Sequence, residues 1–96
     1  VWPSVEAKIA RGESVRAALA LVERGQAPYG IVYATDAQAG SNVHLVGTFP
    51  ASSHPPIRYP IARLVKSKHR DAEGFRRFLL SPQGKAIFRR YGFIPT

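Results

Sequence analysis

Gly12-Glu13-Ser14-Val15-Arg16-Ala17-Ala18-Leu19-Ala20-Leu21-Val22-Glu23-Arg24-Gly25-Gln26-Ala27-Pro28-Tyr29-Gly30-Ile31-Val32-Tyr33-Ala34-Thr35-Asp36-Ala37 is the stretch that decides how this chain is read. Ser14 is a favourable N-cap, because its hydroxyl can accept an early helix amide. Val15, Ala18, Leu19 and Val22 fall at i, i+3, i+4 and i+7, which is one apolar stripe of a helix. Gly25 stands where a left-handed C-terminal cap is wanted. Pro28 and Gly30 punctuate a turn. Ile31-Val32-Tyr33 is a continuous run of β-formers and predicts a strand covered on both faces, as in a parallel sheet. Thr35 or Asp36 can cap a short helical turn through Ala39, closed by Gly40.

Working outward, Ser4 can cap a short first helix with Val5 and Ile9 on one face, ended by Gly12. Val43 to Phe49 reads as a second strand. Ala51 to Pro56 is a loop. Ile57 to Val65 is mostly extended and broken at Pro60, as at a sheet edge or a crossing between layers. Asp71 can cap a helix carrying Phe75, Phe78 and Leu79, with the phenylalanines at core spacing. Ser81-Pro82 starts another helix with a cap and a first-turn proline. Ile87, Phe88 and Tyr91 form its apolar stripe, and Gly92 stops it. The expected order is α-α-β-β-β-α-α, an α/β arrangement.

The chain has 96 residues, 45% of them hydrophobic and 10% aromatic, enough for one modest packed domain. No run of about 18 apolar residues occurs, and no signal peptide is visible. The start, Val1-Trp2-Pro3-Ser4, and the absence of any Met read as the middle of a longer chain. With no Cys, disulfides, thiolate catalysis and Cys-ligated zinc are excluded. The net charge of +8 fits either an anionic partner or a solvated basic surface. The charges look spread along the sequence, which favours the solvated surface.

His44, His54 and His69 are too far apart in sequence for a compact metal motif. Ser52, Ser53 and His54 lack the acid and the nucleophile elbow of a triad, and the six acids suggest no paired acid–base work, so no enzyme activity is expected. Arg58-Tyr59 through Arg70, followed by Phe75, mixes basic and aromatic residues. A basic nucleic-acid-binding module is therefore an alternative, although no finger, helix-turn-helix or RNP-like run is present.

Two groups remain that suit a small oxyanion. The Val15 N–H belongs to a helix start, where early amides lack internal partners and the macrodipole favours negative charge. Tyr33 stands at the C-terminal end of the predicted strand, where ligands of open α/β sheets collect. Both are neutral donors. Ordinary alternatives exist for each: Ser14 satisfying its own helix, and a backbone carbonyl taking the phenol.

The run Ser14 to Pro28, followed by Gly30 to Ala37, resembles the periplasmic molybdate-binding proteins of molybdate ABC transporters. Val46-Gly47-Thr48-Phe49-Pro50, Ser53-His54-Pro55-Pro56-Ile57 and Tyr59-Pro60 continue the likeness. So do Phe78-Leu79, Ser81-Pro82, Ala86-Ile87-Phe88 and Tyr91-Gly92-Phe93. The resemblance implies part of a type II periplasmic-binding-protein fold, two α/β lobes that hold a tetrahedral dianion between them. It implies a C-terminal portion, with residues 1–60 from the second lobe and 61–96 returning to the first. It also implies molybdate or tungstate held by neutral donors, with Val15 and Tyr33 as two of them, a membrane permease as partner and no cofactor. Neither nucleic acid nor catalysis belongs to that picture. A two-lobe binder of another ligand, such as sulfate, is the remaining alternative. Serine ligands and a further amide would lie upstream, so the segment alone should bind weakly and tend to self-associate.

Overall fold

The computed structural model describes residues 1–96. The chain divides into two compact units, Val1–Val46 and Gly47–Thr96. Its regular structure is helical throughout: α1 (Trp2–Val5), α2 (Val15–Glu23), α3 (Ala34–Ala39), α4 (Ala72–Leu80) and α5 (Pro82–Arg90), with 3₁₀ turns at Glu6–Lys8 and Ala51–Ser53.

In the first unit, α2 forms as its sequence dictates. The Ser14 hydroxyl accepts the Ala17 N–H at 3.1 Å. Gly25 takes φ +70°. Gln26 N–H then donates to the Leu21 carbonyl and Gly25 N–H to that of Val22, both at 2.9 Å, a Schellman close of the helix. Leu19 is buried, with Val15, Ala18 and Val22 half-buried around it. Ser4 lies inside α1 rather than before it, and its hydroxyl donates to the Val1 carbonyl at 2.7 Å. Gly12 does not end that helix, because a 3₁₀ turn follows α1 and stops at Lys8. Instead Gly12 packs on the opening of α2: a Cβ there would meet the Ala18 nitrogen at 2.8 Å.

In the second unit, α4 and α5 pack together across Ser81. The Ser81 hydroxyl accepts the Gly84 N–H at 3.2 Å. Gly84 is buried, and a Cβ on it would collide with the Phe78 carbonyl and reach the Leu79 carbonyl at 2.8 Å. Asp71 holds the N-cap position of α4 without a side-chain cap bond. Its own N–H donates instead to His69 Nδ1 at 3.2 Å. Gly92, at φ +85°, closes α5: Phe93 N–H reaches the Phe88 carbonyl and Gly92 N–H that of Arg89, each at 3.1 Å. The Phe93 ring lies edge-on to Phe88 at 5.9 Å and to Tyr59 at 5.6 Å. That is the apolar contact that accompanies such a cap.

The three expected strands are absent. Residues 31–33, 43–49 and 57–65 carry no sheet ladder. A strand, unlike a helix, exists only through hydrogen bonds to a neighbour. Their side chains stay open: Ile31 is 77% exposed and Val46 82%. Phe75 and Phe78, expected in a core, are also exposed. Leu19 is the one buried hydrophobic side chain. The chain keeps 8793 Å² accessible, whereas a folded monomer of its mass leaves about 5400 Å².

Glu73, in the first turn of α4, takes two hydrogen bonds from Arg76, at 2.7 and 3.0 Å, and one from Arg77 at 3.2 Å. The Arg76 bonds, assisted by Arg77 and opposed by partial desolvation, lower the carboxyl pKa from 4.5 to about 2. The same contact raises the pKa of Arg76.

Two glycines separate steric from conformational cost. Gly84→Ala should destabilise the α4–α5 pair by about 1–3 kcal/mol through overpacking. Gly25→Ala meets no neighbour within 4 Å and should cost only about 1 kcal/mol for its left-handed backbone. Urea titrations followed by circular dichroism read both. The folded-state pKa of Glu73 is depressed, so its contribution is complete above about pH 4.5 and fades as pH falls through about 2. The helicity gap between the native chain and Glu73→Gln should therefore close over that window.

Candidate oxyanion-binding site

Val15 is the first residue of α2. Ser14 spends its hydroxyl on the Ala17 amide, so the cap leaves the Val15 N–H unused. No carbonyl of the chain accepts that amide. A neutral donor at the positive end of a nine-residue helix is thus left without a carbonyl partner.

Tyr33 stands elsewhere than expected. It is the N-cap residue of α3, not the end of a strand, with extended φ −71° and ψ 147°. Its carbonyl starts that helix by accepting the Asp36 and Ala37 amides at 3.0 and 3.1 Å. Thr35 and Asp36, expected as caps, therefore lie inside α3, and Gly40 closes it as foreseen. The Tyr33 side chain is 40% exposed.

Sequence spacing alone left the neighbourhood of these two groups open. The structure supplies the link. Arg16, next to Val15, places Nε 3.0 Å from Asp36 Oδ1, three residues after Tyr33. Asp36 is 14% exposed at its side chain and Arg16 71%. The first turns of α2 and α3 are thereby fastened together, and the two predicted donors sit at those turns. The pair also consumes the one cation beside Val15. Gly30 contributes to the packing of the intervening loop, since a Cβ there would meet Val22 Cγ2 at 2.7 Å. Arg16 and Asp36 were missed as supporting residues. Only their opposite charges hinted at a pair, and nineteen intervening residues hid it.

The second unit holds a shallow apolar groove of about 280 Å³ between residues 61–67 and α4, bordered by Ile61, Leu64, Phe75 and Leu79. Neither Val15 nor Tyr33 lines it. Two of the three histidines are occupied locally: His54 Nδ1 is 2.9 Å from the Pro55 carbonyl, and His69 accepts the Asp71 amide. No group of three or more His, Asp and Glu side chains gathers anywhere in the chain. No helix is long and apolar enough to cross a membrane.

The family described as bacterial extracellular solute-binding protein matches residues 1–94. The chain belongs to that family. It is 45% identical over 93 residues to a molybdate-binding protein of Haemophilus influenzae, which covers 97% of this chain and 37% of the relative. It is 46% identical over 92 residues to the molybdate-binding protein of Escherichia coli, 96% of this chain and 36% of the relative. A putative ABC transporter substrate-binding lipoprotein of Bacillus subtilis is 38% identical over 94 residues, 97% and 36% respectively. The chain thus spans little more than a third of the length of these relatives. They are named as binding proteins, not as enzymes. No solved structure matches the chain.

The Arg16–Asp36 tie is open to a double-mutant cycle. Arg16→Ala and Asp36→Ala should show a coupling of about 0.5–1 kcal/mol, as for a pair with one exposed partner. Amide hydrogen exchange of α3 should speed up in either single variant and no further in the double.

Proposed function

We propose that this chain is the C-terminal portion of the substrate-binding component of a molybdate ABC transporter, working in the periplasm and handing its ligand to a membrane permease. The observation that carries the reading is the unused Val15 amide at the start of α2, tied through Arg16 and Asp36 to the turn that bears Tyr33. The two molybdate-binding relatives support the choice of ligand.

The chemistry is retention without a reaction. A tetrahedral dianion accepts hydrogen bonds at each oxygen, and charge-assisted bonds from neutral donors are strong. Dipoles converging on the ligand fix its size and geometry without a formal counter-charge. The Val15 N–H supplies one donor, with the macrodipole behind it. The Tyr33 hydroxyl supplies a second. Arg16 is held off the ligand by Asp36, which keeps the local field dipolar. Tungstate has the same shape and charge as molybdate and would occupy the same donors.

In this reading the longer polypeptide is a type II binding protein of two α/β lobes. Residues 1–60 belong to its second lobe and 61–96 return to the first. Segments 31–33, 43–49 and 57–65 become strands once neighbours supply their ladders. The exposure of Ile31, Val46 and Phe78 supports this. It also supports self-association of the 96-residue chain, and weak oxyanion binding by it, because the other donors lie outside the segment.

In the longer protein, Tyr33→Phe should weaken molybdate binding by about 1.5–3 kcal/mol, the loss of one hydrogen bond to a charged group. Isothermal titration calorimetry checks this, and unchanged affinity would remove Tyr33 from the site. Displacement of molybdate by equimolar sulfate in the same cell would reassign the ligand.

A further inference from the structure

The charges that look spread along the sequence are not spread between the two units. Residues 47–96 carry ten basic and two acidic side chains. Residues 1–46 carry four of each: Lys8, Arg11, Arg16 and Arg24 against Glu6, Glu13, Glu23 and Asp36. The unit with the two neutral donors therefore has no net charge. One of its cations nevertheless stands next to the Val15 amide.

Arg16 is out of place by the usual rule for helices. It is the second residue of α2, at the end where the macrodipole disfavours a cation. No acid lies in that first turn to offset it. Glu13, three residues earlier, makes no ion pair. Arg16 instead reaches across to α3, Nε to Asp36 Oδ1 at 3.0 Å. Asp36 suits its own position, since a carboxylate is favoured in a first turn. Its side chain is 14% exposed, and a carboxylate so far out of water needs the cation it has. The pair lies within one unit and joins two helices that pack on each other. It is a contact already made, unlike the β-forming segments that lack partners.

The consequence for a bound anion is electrostatic. A free guanidinium beside Val15 would attract any anion, and a dianion twice as strongly as a monoanion. A carboxylate left alone there would repel them in the same proportion. Held together, the two charges cancel. We propose that Asp36 is a specificity-determining residue of the oxyanion site. By holding Arg16, it keeps formal charge out of the choice between anions and leaves that choice to the neutral donors. This inference rests on the molybdate reading of Val15 and Tyr33 given above.

Calorimetry on the longer protein tests it with two tetrahedral anions of similar size, molybdate with two charges and perrhenate with one. Asp36→Asn frees the guanidinium while keeping a side chain of the same shape. It should tighten molybdate about tenfold and perrhenate about threefold, the effect of a unit charge several ångströms away. Arg16→Gln should weaken them by the same two factors. Arg16→Gln/Asp36→Asn should return both affinities to the native values. A gain in affinity cannot come from damage to the fold, and damage would not scale with ligand charge. If Asp36→Asn weakens both anions equally, the pair is only a brace and the proposal is overturned. Three variants that bind like the native protein would overturn it too, as would a double variant no closer to native than the singles. A native protein that ignores molybdate would instead overturn the reading beneath the proposal, and the proposal with it.

Discussion

Backbone hydrogen bonds that close within a few residues are the constraint on which this structure depends. A helix satisfies its own amides and carbonyls, and its ends need only a hydroxyl and a glycine. The chain provides both where they are needed. Ser14 and Gly25 bound α2, and Ser81 and Gly92 bound α5. A strand must find its partner elsewhere. The same chain therefore shows well-formed helices beside β-forming segments that have nothing to pair with. The large accessible surface follows from this, because helices of nine residues or fewer bury only one stripe each and no sheet completes the core.

The candidate site draws on the same local chemistry. Capping leaves the Val15 amide unused, because Ser14 reaches past it to Ala17. A single ion pair then converts two separate helix starts into one neighbourhood. Asp36 is mostly buried, so removing Arg16 would leave its carboxylate with less compensation, whereas Arg16 itself stays in water. The positive charge next to Val15 is already committed to Asp36. What remains on offer is dipolar.

Charge and chemistry are partitioned between the units. The first carries no net charge and holds the neutral donors. The second carries all of the net charge. Glu73 offsets two of those cations within α4, whereas Lys85, Arg89 and Arg90 of α5 face no carboxylate.

Much of this was legible in the residues. Periodicity gave α2, α4 and α5, because a helix stripe repeats within the helix itself. Glycine and serine punctuation gave both Schellman closes and two of the caps, since those bonds span five residues or fewer. Ser4 and Gly12 were misread, and Asp71 takes its N-cap position without the side-chain bond, because a residue that can cap has other local partners, and only geometry decides among them. The three strands were expected and are absent. By itself, then, the sequence determined whatever its own short-range bonds complete: helices and their ends. Tertiary structure alone decided that Arg16 meets Asp36 and that Gly84 allows α5 to lie against the carbonyls of α4. Those outcomes depend on groups made neighbours by folding, a property that no window of sequence contains.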